Sequence, residues 1–438
     1  LSRIFSEKIV PGGKSVRHLW QTLTLALVLC RILGAADDLH DSNWPRLRGP
    51  LAAGQGGTQK FPPAWSGSDW LWSVDLPGTG HGSPTIWQGR IYTSSARADV
   101  DAASGLRFVS CHALADGKLL WQAELPGPLE RHHAQNSSAS ATVAVDELGV
   151  YWTWATDEGL RVEAFDHEGG RLWHAEPGAF VTEHGFGGSP AVWRELVIVP
   201  MEQDGPSCVV ALDRRTGEER WRLPRDLART NYSTPLVIEG AEPLVILASM
   251  AHGISGIDPA TGKVRWERRC LPKRSVSCPV VVAGLAIATC GDGGGDNSLV
   301  AVRLPAAGSP AGNEPEIAYT IDRSAAPYVP TPLASGGRLY LWGDRGVVTC
   351  LDAASGEVRW KGRVGGNFSA SPVAVGGTVL NVSADGEVVV LADGDALEVL
   401  GRTPLGEECR ATPAVVEGRM IFRTAGRLHA LDSASPQK

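Results

Sequence analysis

Seven cysteines beyond residue 36, a histidine pair and one acidic glycine-rich stretch are where this sequence could do chemistry. Cys278 and Cys290 sit in "SCPVVVAGLAIATC", a hairpin with its turn near Ala283-Gly284. Their midpoint is residue 284, which predicts that they lie opposite each other and form a cross-strand disulfide in an oxidising compartment. Cys111, Cys208 and Cys350 fall in strand slots that suit small apolar side chains and read as buried free thiols. In "CGDGGGDNS" (290–298), Asp292, Asp296 and Asn297 offer oxygen atoms to calcium. The spacing does not match an EF-hand loop, so a glycine-rich turn is predicted there. His132 and His133 would face opposite ways on a strand and read as loop residues. No metal site is assigned. Gly-x-Ser-x-Gly, Cys-Cys and Cys-x-x-Cys-His are all absent, and no catalytic residue is assigned.

The elements that must position these groups are repeats. An apolar strand follows a Ser/Thr-Pro-like anchor, then come a Gly turn, a second strand and "A-L-D-x-x-T-G-x-x-x-W". Clear copies are "VALDRRTGEERW" (210–221), "SGIDPATGKVRW" (255–266) and "TCLDAASGEVRW" (349–360). The anchors are Pro84, Ala141, Pro190, Pro235, Pro279, Pro332, Pro372 and Pro413, about 47 residues apart on average. Four short strands per period of that length predict an all-β, eight-bladed β-propeller. In each Asp-x-x-Thr/Ser-Gly, the Asp side chain bonds backbone N–H groups and the Gly takes a positive φ. The high Trp count of 15, against 8 Phe and 6 Tyr, then has a structural origin. Trp121, Trp173, Trp221, Trp266 and Trp360 close the units and should pack between blades. The last unit stops at "ALDSASPQK" without its Trp strand. "LWSVDLPG" (71–78), with Trp72, is that strand, so the two chain ends should share one blade and leave no open edge.

Residues 66–434, with the repeats just quoted, resemble the PQQ-like β-propeller repeat proteins. That superfamily includes quinoprotein alcohol dehydrogenases and BamB-like envelope assembly lipoproteins. The lead-in "WPRLRGP" (44–50) resembles the opening of a secreted subgroup. The resemblance implies two functions. One is a non-catalytic scaffold that binds a partner. The other is a PQQ-dependent oxidoreductase with a degenerate site, which would need calcium, a vicinal disulfide, an Asp base and a Trp beneath the quinone. The missing Cys-Cys pair favours the scaffold, so no cofactor is assigned.

The domain reading is a signal peptide or anchor (1–36), a lead-in (37–65), the propeller (66–434) and a tail (435–438). Lys14 and Arg17 precede the apolar run 19–30, and small residues follow at Gly34 and Ala36. The expected location is therefore the periplasm or cell envelope, with membrane association through the N-terminus as the alternative. Cys30 follows the bulky Leu29 and makes a poor lipid-attachment site. A net charge of −7 argues against nucleic acid. A monomer is expected, with an envelope protein, a peptide or a small anionic ligand as partner. The segments entering the innermost strands should rim one mouth of the central channel. They present His81, Asn136, His184, Asn231, Tyr232, Arg274, Tyr328, Asn367, Phe368 and Arg410 as the candidate ligand-binding set. The two arginines favour a carboxylate-bearing ligand.

Overall fold

A computed structural model describes residues 42–98, 104–226, 229–293 and 295–434. The proposed signal segment 1–36 and the tail 435–438 lie outside these. Eight four-stranded antiparallel sheets form eight blades. Blades 1 to 7 are contiguous, over 85–126, 144–178, 191–225, 236–268, 280–321, 333–363 and 373–404. Blade 8 takes three strands from 414–432 and its outer strand, Trp70–Asp75, from the other end of the chain. Trp72 stands opposite Ala430 and Val74 opposite Leu428, which closes the ring as the repeat pattern predicts. No helix among the described residues is long and apolar enough to cross a membrane.

The first two strands of most blades are joined by tight two-residue turns. Gln88-Gly89, Ala283-Gly284 and Glu417-Gly418 all have positive φ at both positions, the geometry that matches strand twist. This turn corrects the disulfide. Val282 pairs with Leu285 and Val280 with Ile287, so the register extended backwards sets Cys278 opposite Thr289, not Cys290. A one-residue offset sends the two side chains to opposite faces. Both thiols are free: Cys278 lines the channel and Cys290 packs in the core between blades 4 and 5. One anchor also moves. The innermost strand of blade 2 begins at Ala144, so Val143, not Ala141, holds the place that proline takes in the other blades.

The blade tryptophans bridge each outer strand to the next blade. The Trp72 indole donates to the carbonyl of Leu114 at 3.2 Å, Trp121 to His167 at 2.7 Å, and Trp173 to Arg214 at 2.9 Å. Trp221 reaches Pro259 and Trp360 reaches Gly394 in the same way. The turn glycine makes room for the ring: a Cβ on Gly117 would fall 2.6 Å from the Trp72 indole. Trp266 is the exception. Blade 5 has a long connection in place of the Asp-x-x-Thr-Gly turn, and the buried Trp266 N–H has no partner among the described residues. In blade 5 itself Tyr319 replaces the Trp, and its hydroxyl donates to Ala353. Gly401 stands at the Trp position of blade 7, and the lead-in crosses the space left open, with Pro63 against it.

That lead-in is a strap across one end of the channel. Trp44 bridges to Ile86 of blade 1, and the Val145 N–H of blade 2 donates to Pro45. Arg48, fully buried, donates to the Pro332 carbonyl of blade 6 at 2.9 Å. Gly56 then bonds Ala374 of blade 7, and the Trp65 N–H donates to Thr403. The "WPRLRGP" motif follows from this path. Trp44 packs over Gly49, where a Cβ would fall 2.6 Å from the indole and where the φ of 74° independently favours glycine.

Candidate functional site

The innermost strands begin with a residue pattern that organises the channel. In seven blades the residue before the anchor is Ser or Thr, and its hydroxyl accepts an N–H from the neighbouring blade. Ser83 N–H donates to Thr142 Oγ1, Thr142 to Ser189 and Ser189 to Thr234, at 2.9–3.3 Å. Cys278 N–H donates to Thr331, Thr331 to Ser371 and Ser371 to Thr412, each at 3.0 Å. Thr412 N–H joins the two arcs at Ser83 at 2.9 Å, and the chain of bonds stays open between Thr234 and Cys278. Cys278 is the one member without a hydroxyl.

These side chains wall a cavity of about 250 Å³ that opens at the mouth where the chain enters the innermost strands. Leu47 of the strap forms its floor. Of the ten residues assigned to the mouth, His81, Asn136, His184, Tyr232, Arg274, Tyr328 and Arg410 line this cavity. Asn367 and Phe368 instead line an adjoining groove, shared with Tyr328 and Arg410. Phe368 is mainly a core residue, edge-on to Trp342 with ring centres 5.3 Å apart. Asn231 is buried away from the cavity. Its amide donates to Glu202 and Ala248 and accepts from the Ser275 N–H, so no polar atom is left for a ligand. Asn136 lines the cavity but spends its amide on the carbonyls of His184 and Phe186.

The remaining mouth residues are held by the loops. Arg274 lies 5.7 Å over the Tyr232 ring. Arg410 donates to Ser369 at 3.2 Å. Asp344 accepts the N–H groups of Tyr328 and Val329, which fixes that rim segment. His133 packs against His184 with ring centres 5.3 Å apart and the rings tilted by 53°, and it also lines the cavity. Burial raises the phenol pKa of both Tyr232 and Tyr328. His81 is held down to about 3, first by burial, then by the charges of Arg423, Arg410 and His132.

Charge is distributed unevenly. No Asp or Glu is among the described residues lining the cavity. Two of its lining residues, Arg274 and Arg410, carry guanidinium groups without an ion-pair partner among the described residues. Both are at the mouth. Arg48 at the strap and Arg423 lie outside the lining and give N–H groups to the carbonyls of Pro332, and of Gly82 and Ser94, respectively. Burial lowers the pKa of Arg48 and Arg423 to about 10 without neutralising either at pH 7. The glycine-rich stretch is charge-paired by comparison, because Lys273 bonds both Asp292 and Asp296, at 2.7 and 3.3 Å, and Arg323 bonds Asp296 at 3.2 Å. It is the turn between the second and third strands of blade 5, as predicted.

Sequence reasoning missed the hydroxyl ring, His133 and the Leu47 floor. The ring had a signal, Ser or Thr before the anchor in seven repeats. The floor had none, because only the folded strap brings Leu47 beneath the channel.

The lumen does not fit a calcium-bound quinone. Its described lining offers no carboxylate for calcium, no tryptophan as a platform and a single cysteine.

The chain matches the family model described as outer membrane protein assembly factor BamB over residues 158–315 and 318–437, more than half its length. The BamB assembly factor of Yersinia pestis is 25% identical over 232 residues, covering 50% of this chain and 55% of that protein. That of Moranella endobia (strain PCIT) is 28% identical over 170 residues, covering 36% and 40%. The chain thus spans about half the length of the curated relatives it matches. Among solved structures, BamB from Moraxella catarrhalis aligns with a TM-score of 0.59 at 16% identity, over 84% of this chain and 98% of that one. The quinohemoprotein alcohol dehydrogenase from Comamonas testosteroni aligns at 0.63 and 15% identity, over 92% and 82%. At such identities the structural likeness speaks for the propeller alone, whereas the family match rests on the repeats themselves. The chain belongs to the BamB-type family of PQQ-repeat β-propellers.

Proposed function

We propose that this protein is an exported, non-catalytic scaffold of the cell envelope that binds an anionic segment of a protein or peptide, or a small anion, at the open channel mouth. The observation that carries this reading is a concave lumen with no carboxylate among its described lining and with Arg274 and Arg410, unpaired by any acid among the described residues, at its mouth, in a protein of net charge −7. The name shared by the relatives, outer membrane protein assembly factor, supports a role in envelope assembly. A periplasmic location, or attachment through the apolar run at 19–30, goes with that role. The scaffold is taken to act through its mouth and not through the Asp-x-x-Thr-Gly turns, whose Asp side chains are spent on their own loops, as Asp213 is on Arg215 and Thr216.

The test is affinity capture from the native envelope. Ala at His184, Tyr232, Tyr328 and Arg410 together should abolish capture of the partner taken by the parent protein. Unchanged capture sinks the reading. A bound chromophore and dye-linked alcohol oxidation after adding PQQ and calcium would favour the oxidoreductase instead.

A further inference from the structure

The hydroxyl ring has an asymmetry that bears on the ligand. Each Ser or Thr oxygen in it accepts an N–H from the adjacent blade. A hydroxyl has one proton to give, and among the described residues no ring hydroxyl gives it to a protein acceptor. All seven hydroxyl side chains are more than nine-tenths buried and line the same cavity. The protein satisfies the acceptor side of each group and leaves the donor side for whatever fills the lumen.

We propose that the ring is an oxyanion crown: its O–H groups, with Arg274 and Arg410 above them, hold a carboxylate or phosphoryl group in the channel. This deepens the scaffold reading and rests on it, by naming the chemical group that enters the mouth. A metal cation is disfavoured, because the lumen has no carboxylate and presents donors. Water alone would satisfy the hydroxyls but would leave the Arg274 and Arg410 charges at the mouth uncompensated. Charge-assisted hydrogen bonds to an oxyanion satisfy both sets of donors. Size narrows the choice further. A cavity of about 250 Å³ holds roughly eight waters at ~30 Å³ each. That admits a small oxyanion or the carboxylate end of one extended chain, and not a folded element.

Cys278 supplies a native reporter, since its thiol belongs to the ring and lines the cavity. Half-buried Cys270 lies outside the cavity and serves as the internal control. The full chain is alkylated with iodoacetamide in inorganic phosphate, acetate or chloride at matched ionic strength, and each cysteine is followed by peptide mass spectrometry. Phosphate or acetate should slow Cys278 at least fivefold relative to chloride and leave Cys270 unchanged. The stronger of the two tells a phosphoryl ligand from a carboxylate one. Arg274→Gln with Arg410→Gln should remove the protection. Ser371→Ala should weaken it at least threefold, and Thr331→Ser, which keeps the hydroxyl, should retain it. If Ser371→Ala fails to fold, the arginine pair still decides. Protection by chloride equal to that by both oxyanions overturns the crown, as does full protection in the double arginine variant. Partner capture is read separately. Loss of capture in the four-residue mouth variant with no oxyanion protection would leave the scaffold standing and the crown refuted.

Discussion

Cys278 is the one place where the inter-blade circle lacks a hydroxyl. A thiol is a weak acceptor and takes no N–H from Thr234 among the described residues, so the step from blade 4 to blade 5 is the open one. Cys278→Ser should therefore stabilise the protein by about 1 kcal/mol, the net worth of one hydrogen bond, read as a higher urea midpoint at unchanged m. A midpoint equal to the parent's would show that the ring adds nothing to stability. His81 makes a second residue-level prediction. Its folded pKa of about 3 lies below the ordinary value of 6.5, so the unfolded chain binds the proton more readily between those values. The stability that His81 contributes is thus full above pH 6.5 and is lost as pH falls towards 3. Between pH 6.5 and 5 the loss from this residue is about 2 kcal/mol, and His81→Gln should flatten that part of the stability-versus-pH curve. His429, held down to about 4 chiefly by burial, adds to the acid sensitivity with the same sign. An equal slope in parent and variant would contradict this account. At this scale the sequence showed which side chains precede each anchor. It did not show where they point: Asn231 and Phe368 carry the same positional signal as Tyr232 and Arg410 but turn into the protein. The hydroxyls were visible as Ser and Thr beside proline. Their hydrogen-bond partners lie 40–59 residues away, or 329 where the ring closes, beyond any local pattern.

The outer strand is the element that locks neighbours together. Each blade Trp except Trp266 carries ring area and one directed N–H into the next blade, so its loss leaves a cavity and an unmet carbonyl. Trp72→Ala should cost about 3 kcal/mol. Deleting 66–78 removes the whole strand, exposes the edge of Arg427–Asp432 and should give aggregation or loss of cooperative melting. A truncated protein that melts like the parent would mean that the shared blade is not what holds the ring shut. Strand count, blade order and this closure were legible because each depends on a pattern repeated eight times. The hairpin register at Cys278 was not. It turns on whether the loop has two residues or three, a choice made by the left-handed backbone of Ala283 and Gly284. The anchor of blade 2 was misplaced for a similar reason: without a proline, "SSASATVAV" does not fix where the strand begins.

A propeller ring could spread or shear, and here the lead-in runs across it from blades 1 and 2 to blades 6 and 7. Its central pin is Arg48, a buried guanidinium that gives one N–H to the Pro332 carbonyl and has no carboxylate partner among the described residues. Burying such a charge is costly, so the strap must be held by more than this group. Trp44 in the core of blade 1 and the backbone pairing of Gly54 and Gly56 with Ala374 provide the remainder. The strap also contributes Leu47 to the lining of the cavity, so the strap and the lumen share a wall. Arg48→Ala would leave the Pro332 carbonyl unsatisfied and open a cavity beside Gly54, where a Cβ would lie only 3.1 Å from the Arg48 side chain. The expected cost is about 3 kcal/mol. The strap should then be cut by protease while the blades stay intact, and Cys278 should alkylate faster because Leu47 no longer walls the cavity. Arg48→Met, which fills the space without a charge, should cost less and keep Cys278 slow. Equal protease resistance in Arg48→Ala and the parent would show that Arg48 does not pin the strap.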